Sequence, residues 1–237
     1  MIDPSGSREN VGNGGVSRRR FLTSSLASGA AMLLAAGAAE ELLSPVLLAQ
    51  SSLTPDEALK ELMDGNARYV DGRLTYTDLK ELREHTVDKQ EPFAAVLACA
   101  DSRVPVELVF DKSIGQIFVT RVAGNVATSE IIGSLEYGAA VLGTKVILVL
   151  GHANCGAVKA AMYGNLVPGQ ISSLFPHIQP AVDQSHHDLD AAIRINARIQ
   201  ADLLSKASPV LSEMLKDGKL KIVAGYYDLA SGKVTLL

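Results

Sequence analysis

The sequence predicts an α/β fold, a mainly parallel sheet of about four strands plus an edge strand, flanked by helices. Three features carry that prediction. The runs 93–99, 116–120, 145–150 and 220–224 are mostly apolar, and unbroken apolar runs of strand length mark strands covered on both faces. Between them stand stretches of helical length, 129–142 closed by Gly143, 155–162 and 188–204. Alternating strands and helices make right-handed crossovers between parallel neighbours. The last segment, 225–237, sets Ser231-Gly232 between two apolar strings, which reads as an edge hairpin.

With 237 residues, 47% of them hydrophobic and 20% charged, the chain is able to bury one core. Lys and Arg (22) number fewer than Asp and Glu (26), for a net charge of −4. No long basic run is interleaved with aromatics, which excludes a nucleic-acid groove.

The first segment reads as an address. Ser17-Arg18-Arg19-Arg20-Phe21-Leu22 precedes uncharged, Ala/Leu/Gly/Ser-rich sequence up to Ala39. Paired arginines before Phe-Leu resemble the twin-arginine type of export signal, with Thr23 where lysine is usual. The uncharged stretch is close to the roughly 20 residues that span a bilayer. Its many small residues make it weakly apolar and favour cleavage, leaving no stable membrane span. Residues 1–49 are therefore expected to be a cleaved signal peptide, cut near 36–39 or, preferably, after Leu47-Leu48-Ala49. The destination is extracytoplasmic or periplasmic. The leader carries Arg8, Arg18, Arg19 and Arg20 against Asp3, Glu9, Glu40 and Glu41, so residues 50–237 keep the net −4. The twin-arginine route exports folded proteins, often with a metal already inserted.

Residues 50–237 are expected to form a single domain with an N-terminal helical arm, 54–85. Thr54-Pro55-Asp56-Glu57 is a helix start, with Thr54 as N-cap, Pro55 at the first helical position and Glu57 closing a capping box. Leu59, Leu62, Met63 and Val70 share one stripe, and Gly72 is a stop. A second, polar helix is expected from Asp78 to His85. These helices pack on the outside of the sheet or on a second subunit.

The chemistry concentrates at two strand ends. Cys99 closes the first run and is followed by Ala100-Asp101-Ser102-Arg103; Gly151-His152-Ala153-Asn154-Cys155-Gly156 follows the third. The carboxyl ends of strands are where open α/β sheets hold ligands. Two cysteines can form a disulfide, a redox pair or part of a metal site. A disulfide leaves Asp101, Arg103 and His152 unexplained. If the two strands are adjacent, Cys99, His152 and Cys155 make a Cys2His set suited to zinc, with a fourth position open to water; in a purely structural site Asp101 would have to be the fourth ligand. Cys155 at the first turn of a helix has its thiolate favoured by backbone N–H groups and the dipole. If 99–103 stays extended, Cys99, Asp101 and Arg103 point to one side, and Arg103 holds Asp101 ionised.

These two segments, Cys99-Ala-Asp101-Ser102-Arg103-Val-Pro and Gly-His152-Ala-Asn-Cys155-Gly, resemble the zinc-binding motifs of the β-class carbonic anhydrases, and the similarity runs from about Thr54 to the C-terminus. The resemblance implies that Cys99, His152 and Cys155 bind one zinc ion and that Asp101 and Arg103 form a catalytic dyad. In a closed state Asp101 takes the fourth zinc position. It implies reversible hydration of CO2 to bicarbonate and a proton by attack of zinc-bound hydroxide, in a homodimer or higher homo-oligomer. Gln90, Phe118 and Tyr137 match the carbon dioxide pocket of the always-open subgroup. Val96 stands where the bicarbonate-regulated subgroup has tryptophan, although Arg121 and Tyr227 match its other two positions. Hydrolysis of CS2 or COS on the same scaffold, and a non-catalytic zinc-folded binding protein, are the rival readings. His85, His177, His186 and His187 are expected at the surface or in turns and are given no role.

Overall fold

The computed structural model describes residues 51–237 except 76 and 165; the expected leader and its cleavage positions lie outside the described residues. The capping box forms as expected: the Thr54 hydroxyl accepts from the Glu57 N–H, while the Glu57 carboxylate accepts from the Thr54 N–H at 2.8 Å. It opens α1 (Pro55–Val70), and the Asp78 side chain caps α2 (Leu79–His85). The core then follows as β1 (Ala94–Ala98), α3 (Val106–Val109), β2 (Ile117–Arg121), α4 (Ser129–Glu136), β3 (Val146–His152), α5 (Gly156–Tyr163), α6 (Phe175–Gln184), α7 (Leu189–Ala207), α8 (Pro209–Lys216), β4 (Lys221–Tyr227) and β5 (Val234–Leu236).

The five strands form one sheet in the order β2-β1-β3-β4-β5, parallel except for β5, which closes the hairpin with β4. Every residue of β1 and β3 is buried, which explains why both runs are apolar without alternation. Ala94, Val96 and Ala98 face Ala58 and Leu62 of α1 on one side; Ala95 and Leu97 face Leu135, Ala197, Leu204 and Leu211 on the other. So α1 covers the sheet of its own chain, while α2 buries none of its residues there.

Local chemistry moved several boundaries. The helix expected over 129–142 is α-helical only to Glu136 and finishes as a π-helical turn over Tyr137–Val141. Three helices were not anticipated. In α6, Pro180 removes an interior backbone donor and disguises the helix. In α8, by contrast, Ser208-Pro209 is an ordinary N-cap and first-turn pair, with the Ser208 hydroxyl accepting from Leu211 N–H. The third, α3, is only four residues long and too short to show a period. No helix among the described residues is long and apolar enough to cross a membrane.

Two adjacent residues, Gly65 and Asn66, are among those that fasten α1. Gly65 lies against α3 so closely that a β-carbon would stand 1.9 Å from the Phe110 carbonyl oxygen. Because that neighbour is backbone, Gly65→Ala is expected to lower stability by about 1–3 kcal/mol, measurable by urea unfolding of the full chain. Asn66 is buried, donating to the carbonyls of Val109 and Gly232 and accepting from Val234 N–H, which ties α1 to the β4–β5 hairpin.

Candidate metal centre

Since β1 and β3 are hydrogen-bonded neighbours in register from Ala94↔Val146 to Ala98↔Leu150, their carboxyl ends deliver Cys99 beside His152, and the turn after β3 returns Cys155. Asn154 adopts φ 54° in that turn, a conformation asparagine tolerates better than most residues. The sulfurs of Cys99 and Cys155 are 4.0 Å apart. The three donor atoms of Cys99, His152 and Cys155 lie within 4.8 Å of one another, and all three residues are buried.

The His152 ring shows what this cluster is for. Its Nδ1 lies 2.9 Å from the Ala153 carbonyl oxygen; a carbonyl only accepts, so Nδ1 carries the proton and Nε2 presents a lone pair. That Nε2 is buried and has no hydrogen-bond partner among the described residues. A buried nitrogen lone pair facing two thiols is costly unless a thiol proton, a weak donor, or a cation satisfies it, and a cation serves all three donor atoms at once. A tetrahedral ion with bonds of about 2.3 Å to sulfur separates two sulfurs by about 3.8 Å, close to the spacing seen. The donor set therefore fits a thiophilic divalent cation.

Only one of the two thiols is set for ionisation before a cation arrives. Cys99 is pulled below the ordinary thiol range, first by its hydrogen bond with Cys155, then by the neighbouring His152 ring and by the backbone N–H of Gly124, against the effect of burial. Cys155 is pushed up by the same shared hydrogen bond and by burial, although the N–H groups of Val158 and Ala157 in the first turn of α5 oppose the rise. A cation held by this set would replace the shared proton and allow both sulfurs to be anionic. The expectation that Cys155 sits at a helix start holds: it is the N-cap of α5.

The expectation of an extended 99–103 does not hold. Asp101 to Val104 form a turn, with Val104 N–H donating to Asp101 O and Arg103 N–H donating to Asp101 Oδ1 at 2.9 Å. A short aspartate side chain satisfies the backbone N–H two residues on more readily than an unpaired strand extension does. The turn still joins the dyad: Arg103 donates from Nε to Oδ1 at 2.9 Å and from Nη2 to Oδ2 at 2.7 Å. The Arg103 guanidinium holds the Asp101 carboxyl well below the usual carboxylate range. Asp101 Oδ2 stands 3.9 Å from His152 Nε2, beside the donor set, with both oxygens engaged by Arg103.

Phe118 and Tyr137 come together, with ring centroids 6.4 Å apart and planes tilted by 47°. Phe118 pairs in register with Ala95, four residues before Cys99, or about 13 Å down the strand. Gln90 is exposed ahead of β1 and makes no side-chain hydrogen bond among the described residues. Val96 is fully buried in mid-sheet. Arg121 donates from Nε to Cys99 O at 3.0 Å and from Nη2 to Asp101 O at 2.5 Å. Tyr227 is buried with its hydroxyl 3.2 Å from that of Tyr69.

Sequence reasoning missed Gly124, whose N–H donates to Cys99 Sγ at 3.3 Å. The Gly124-Asn125 pair, separated from the end of β2 by two residues, was the available signal, since that dipeptide marks a turn needing positive φ, and both residues adopt it, at 77° and 45°.

Residues 94–234 match the family model described as carbonic anhydrase. Carbonic anhydrase 2 of Mycobacterium tuberculosis is 35% identical over 191 residues, covering 77% of this chain and 92% of that protein. The carbonic anhydrase of Mycolicibacterium smegmatis is also 35% identical, over 193 residues, covering 77% and 93%. Among solved structures, the Coccomyxa β-carbonic anhydrase in complex with acetazolamide superposes with a TM-score of 0.60 at 26% identity, covering 76% of this chain and 86% of that one. With the matched span containing both strand-end segments, the chain belongs to the carbonic anhydrase family, in its β class.

Proposed function

We propose that this carbonic anhydrase performs the reversible hydration of CO2 to bicarbonate and a proton on one zinc ion held by Cys99, His152 and Cys155. The observation that carries the metal is the buried, partnerless Nε2 of His152 aimed at two thiols. Zinc, when bound, supplies the Lewis acidity that makes water a nucleophile near neutral pH. The residues around it orient the reactants. Asp101 offers an anionic acceptor beside the donor set, fixing the O–H direction of a water and hence the direction of its lone pair. Arg103 keeps that carboxylate ionised and turned, and the carbonyls of Cys99 and Asp101 are steadied by Arg121.

The substrate wall is assigned to Gln90, Phe118 and Tyr137. Phe118 lies about 13 Å along the strand from Cys99, and Tyr137 is 47% exposed in the single chain. Both facts favour a homo-oligomer in which a second copy brings these side chains to the metal centre, and sedimentation velocity should then show at least a dimer. Export of the folded, zinc-loaded chain by the twin-arginine route remains part of the proposal; fractionation of cells carrying Arg18→Lys/Arg19→Lys should leave the protein in the cytoplasm.

The arrangement favours the subgroup without bicarbonate regulation. Asp101 is bound by Arg103, Arg121 is occupied by two carbonyls, Tyr227 is paired with Tyr69, and the position of the tryptophan is a buried valine. Raising bicarbonate at constant pH is therefore expected to give simple product inhibition; a sigmoidal loss of activity with release of Asp101 would refute this part. Stopped-flow CO2 hydration with a metal count, run beside CS2 and COS hydrolysis, tests the whole reading. Metal-free protein with full CO2 hydration, or activity on CS2 or COS alone, would overturn it.

A further inference from the structure

The sulfur of Cys99 accepts its hydrogen bond from a backbone that does not rest easily. Gly124 and Asn125 are consecutive left-handed residues, a conformation that an asparagine adopts only at some cost. Space is also short: a β-carbon at residue 124 would stand 2.8 Å from Ile178 Cδ1 of α6. The carbonyl of the peptide between those two residues, Gly124 O, accepts from Asn196 Nδ2 at 2.9 Å. Asn196 lies in α7, fully buried, and the next turn of the helix supports it, Gln200 Nε2 donating to Asn196 Oδ1 at 3.2 Å. Gln200 is buried too. Its Oε1 accepts from Ala127 N–H at 2.9 Å, and its Nε2 also donates to His177 O of α6 at 3.0 Å.

Two buried amides on one face of α7 thus hold both ends of the segment Gly124–Ala127 and the helix behind it. Burying two such side chains under a sheet is unfavourable unless their polar atoms are satisfied, and here both amides bond to the one loop, Gln200 reaching His177 O of α6 as well. That loop's other function is to point the Gly124 N–H at Cys99 Sγ. Hydrogen bonds to a ligating sulfur orient it and temper its donation to the metal.

We propose that Asn196, supported by Gln200, is a positioning residue for the metal centre: it locks the left-handed Gly124-Asn125 peptide so that the Gly124 N–H stays on the Cys99 sulfur. The proposal rests on the metal reading above. Asn196 touches neither ligand nor substrate and acts through the loop alone.

The test compares Asn196→Asp, which keeps the acceptor toward Gln200 but replaces the donor toward Gly124 O, with Asn66→Ala, which breaks a buried set of side-chain-to-backbone hydrogen bonds on the opposite face of the sheet. Full-length proteins are loaded with zinc or with cobalt(II) and kept where circular dichroism shows them folded. Zinc release to a chelator and the thiolate-to-cobalt charge-transfer absorption are then read. Asn196→Asp is expected to release zinc about tenfold faster and to shift the cobalt band, while Asn66→Ala loses stability with both readouts unchanged. Unchanged release and an unshifted band in folded Asn196→Asp would overturn the proposal. If that variant does not fold, Gln200→Leu, which strips the support and leaves the Gly124 contact, is judged by the same two outcomes. Failure of the unmodified protein to bind either metal would instead remove the metal reading itself, a result distinct from a metal-binding parent with an indifferent Asn196 variant.

Discussion

Cys99→Ser, Cys155→Ser and His152→Ala are each expected to lose the metal and CO2 hydration together, leaving activity near the uncatalysed background. Serine keeps the size of cysteine but ionises far too reluctantly to replace a thiolate beside a cation. Cys155 and His152 are fully buried, so no outside side chain is free to substitute. Removal of the His152 ring deletes the lone pair at Nε2 and the Nδ1–H bond to Ala153 O that holds the chain direction toward Cys155. Metal analysis and stopped-flow hydration on the same samples check this. A variant that holds no metal yet hydrates CO2 at the parent rate would contradict the assignment, as would one that keeps both.

Asp101→Asn is expected to separate binding from turnover, keeping the metal while the rate falls about 10²–10³-fold. The reason is directional. Arg103 presents donors to both Asp101 oxygens, so an asparagine turns its carbonyl toward the guanidinium and its NH2 group outward. A donor then stands where the parent offers an acceptor. The pH behaviour follows from the depressed carboxyl. Its folded value lies below the ordinary one near 3.9, so the ion pair contributes fully to stability above that range and loses its contribution only as pH falls through the lower, folded value. Between about pH 5 and 9 Asp101 does not change charge, and any rise of activity near neutrality belongs to another group. Because Arg103 is half exposed, its loss should cost little stability. Arg103→Met should nevertheless slow turnover at every pH in that window, by freeing the carboxylate to turn. Turnover at the parent rate across that window in either variant would argue that the dyad is only a surface ion pair.

Legibility of the sequence varied with the range of the forces involved. Thr54 with Glu57 acts over three residues and could be read outright, whereas Asp78, expected inside its helix, is the cap ahead of it. The apolar strand runs could also be read, since burial on two faces leaves no place for polar side chains. The turn at Asp101 was misread because apolarity and period carry no information about which N–H an aspartate will satisfy. Nothing in the local pattern of 188–204 singles out Asn196 and Gln200, and only the arrival of Gly124 and Ala127 across the fold gives them partners.

The sequence by itself determined the α/β class, the strand-end location of Cys99, His152 and Cys155, and the pairing of Asp101 with Arg103, all of which follow from local pattern and side-chain chemistry. Tertiary structure alone decided that β1 lies directly against β3, which converts two separated segments into one donor set 4.8 Å across at most. It also decided that the Cys99 sulfur takes its hydrogen bond from Gly124, that Arg121 serves two carbonyls, and that Phe118 lies well below the metal centre on its own chain. Those outcomes depend on strand order and on which distant residue arrives at a buried polar atom, and a partnerless polar atom in a core is costly enough that the arriving partner settles the geometry.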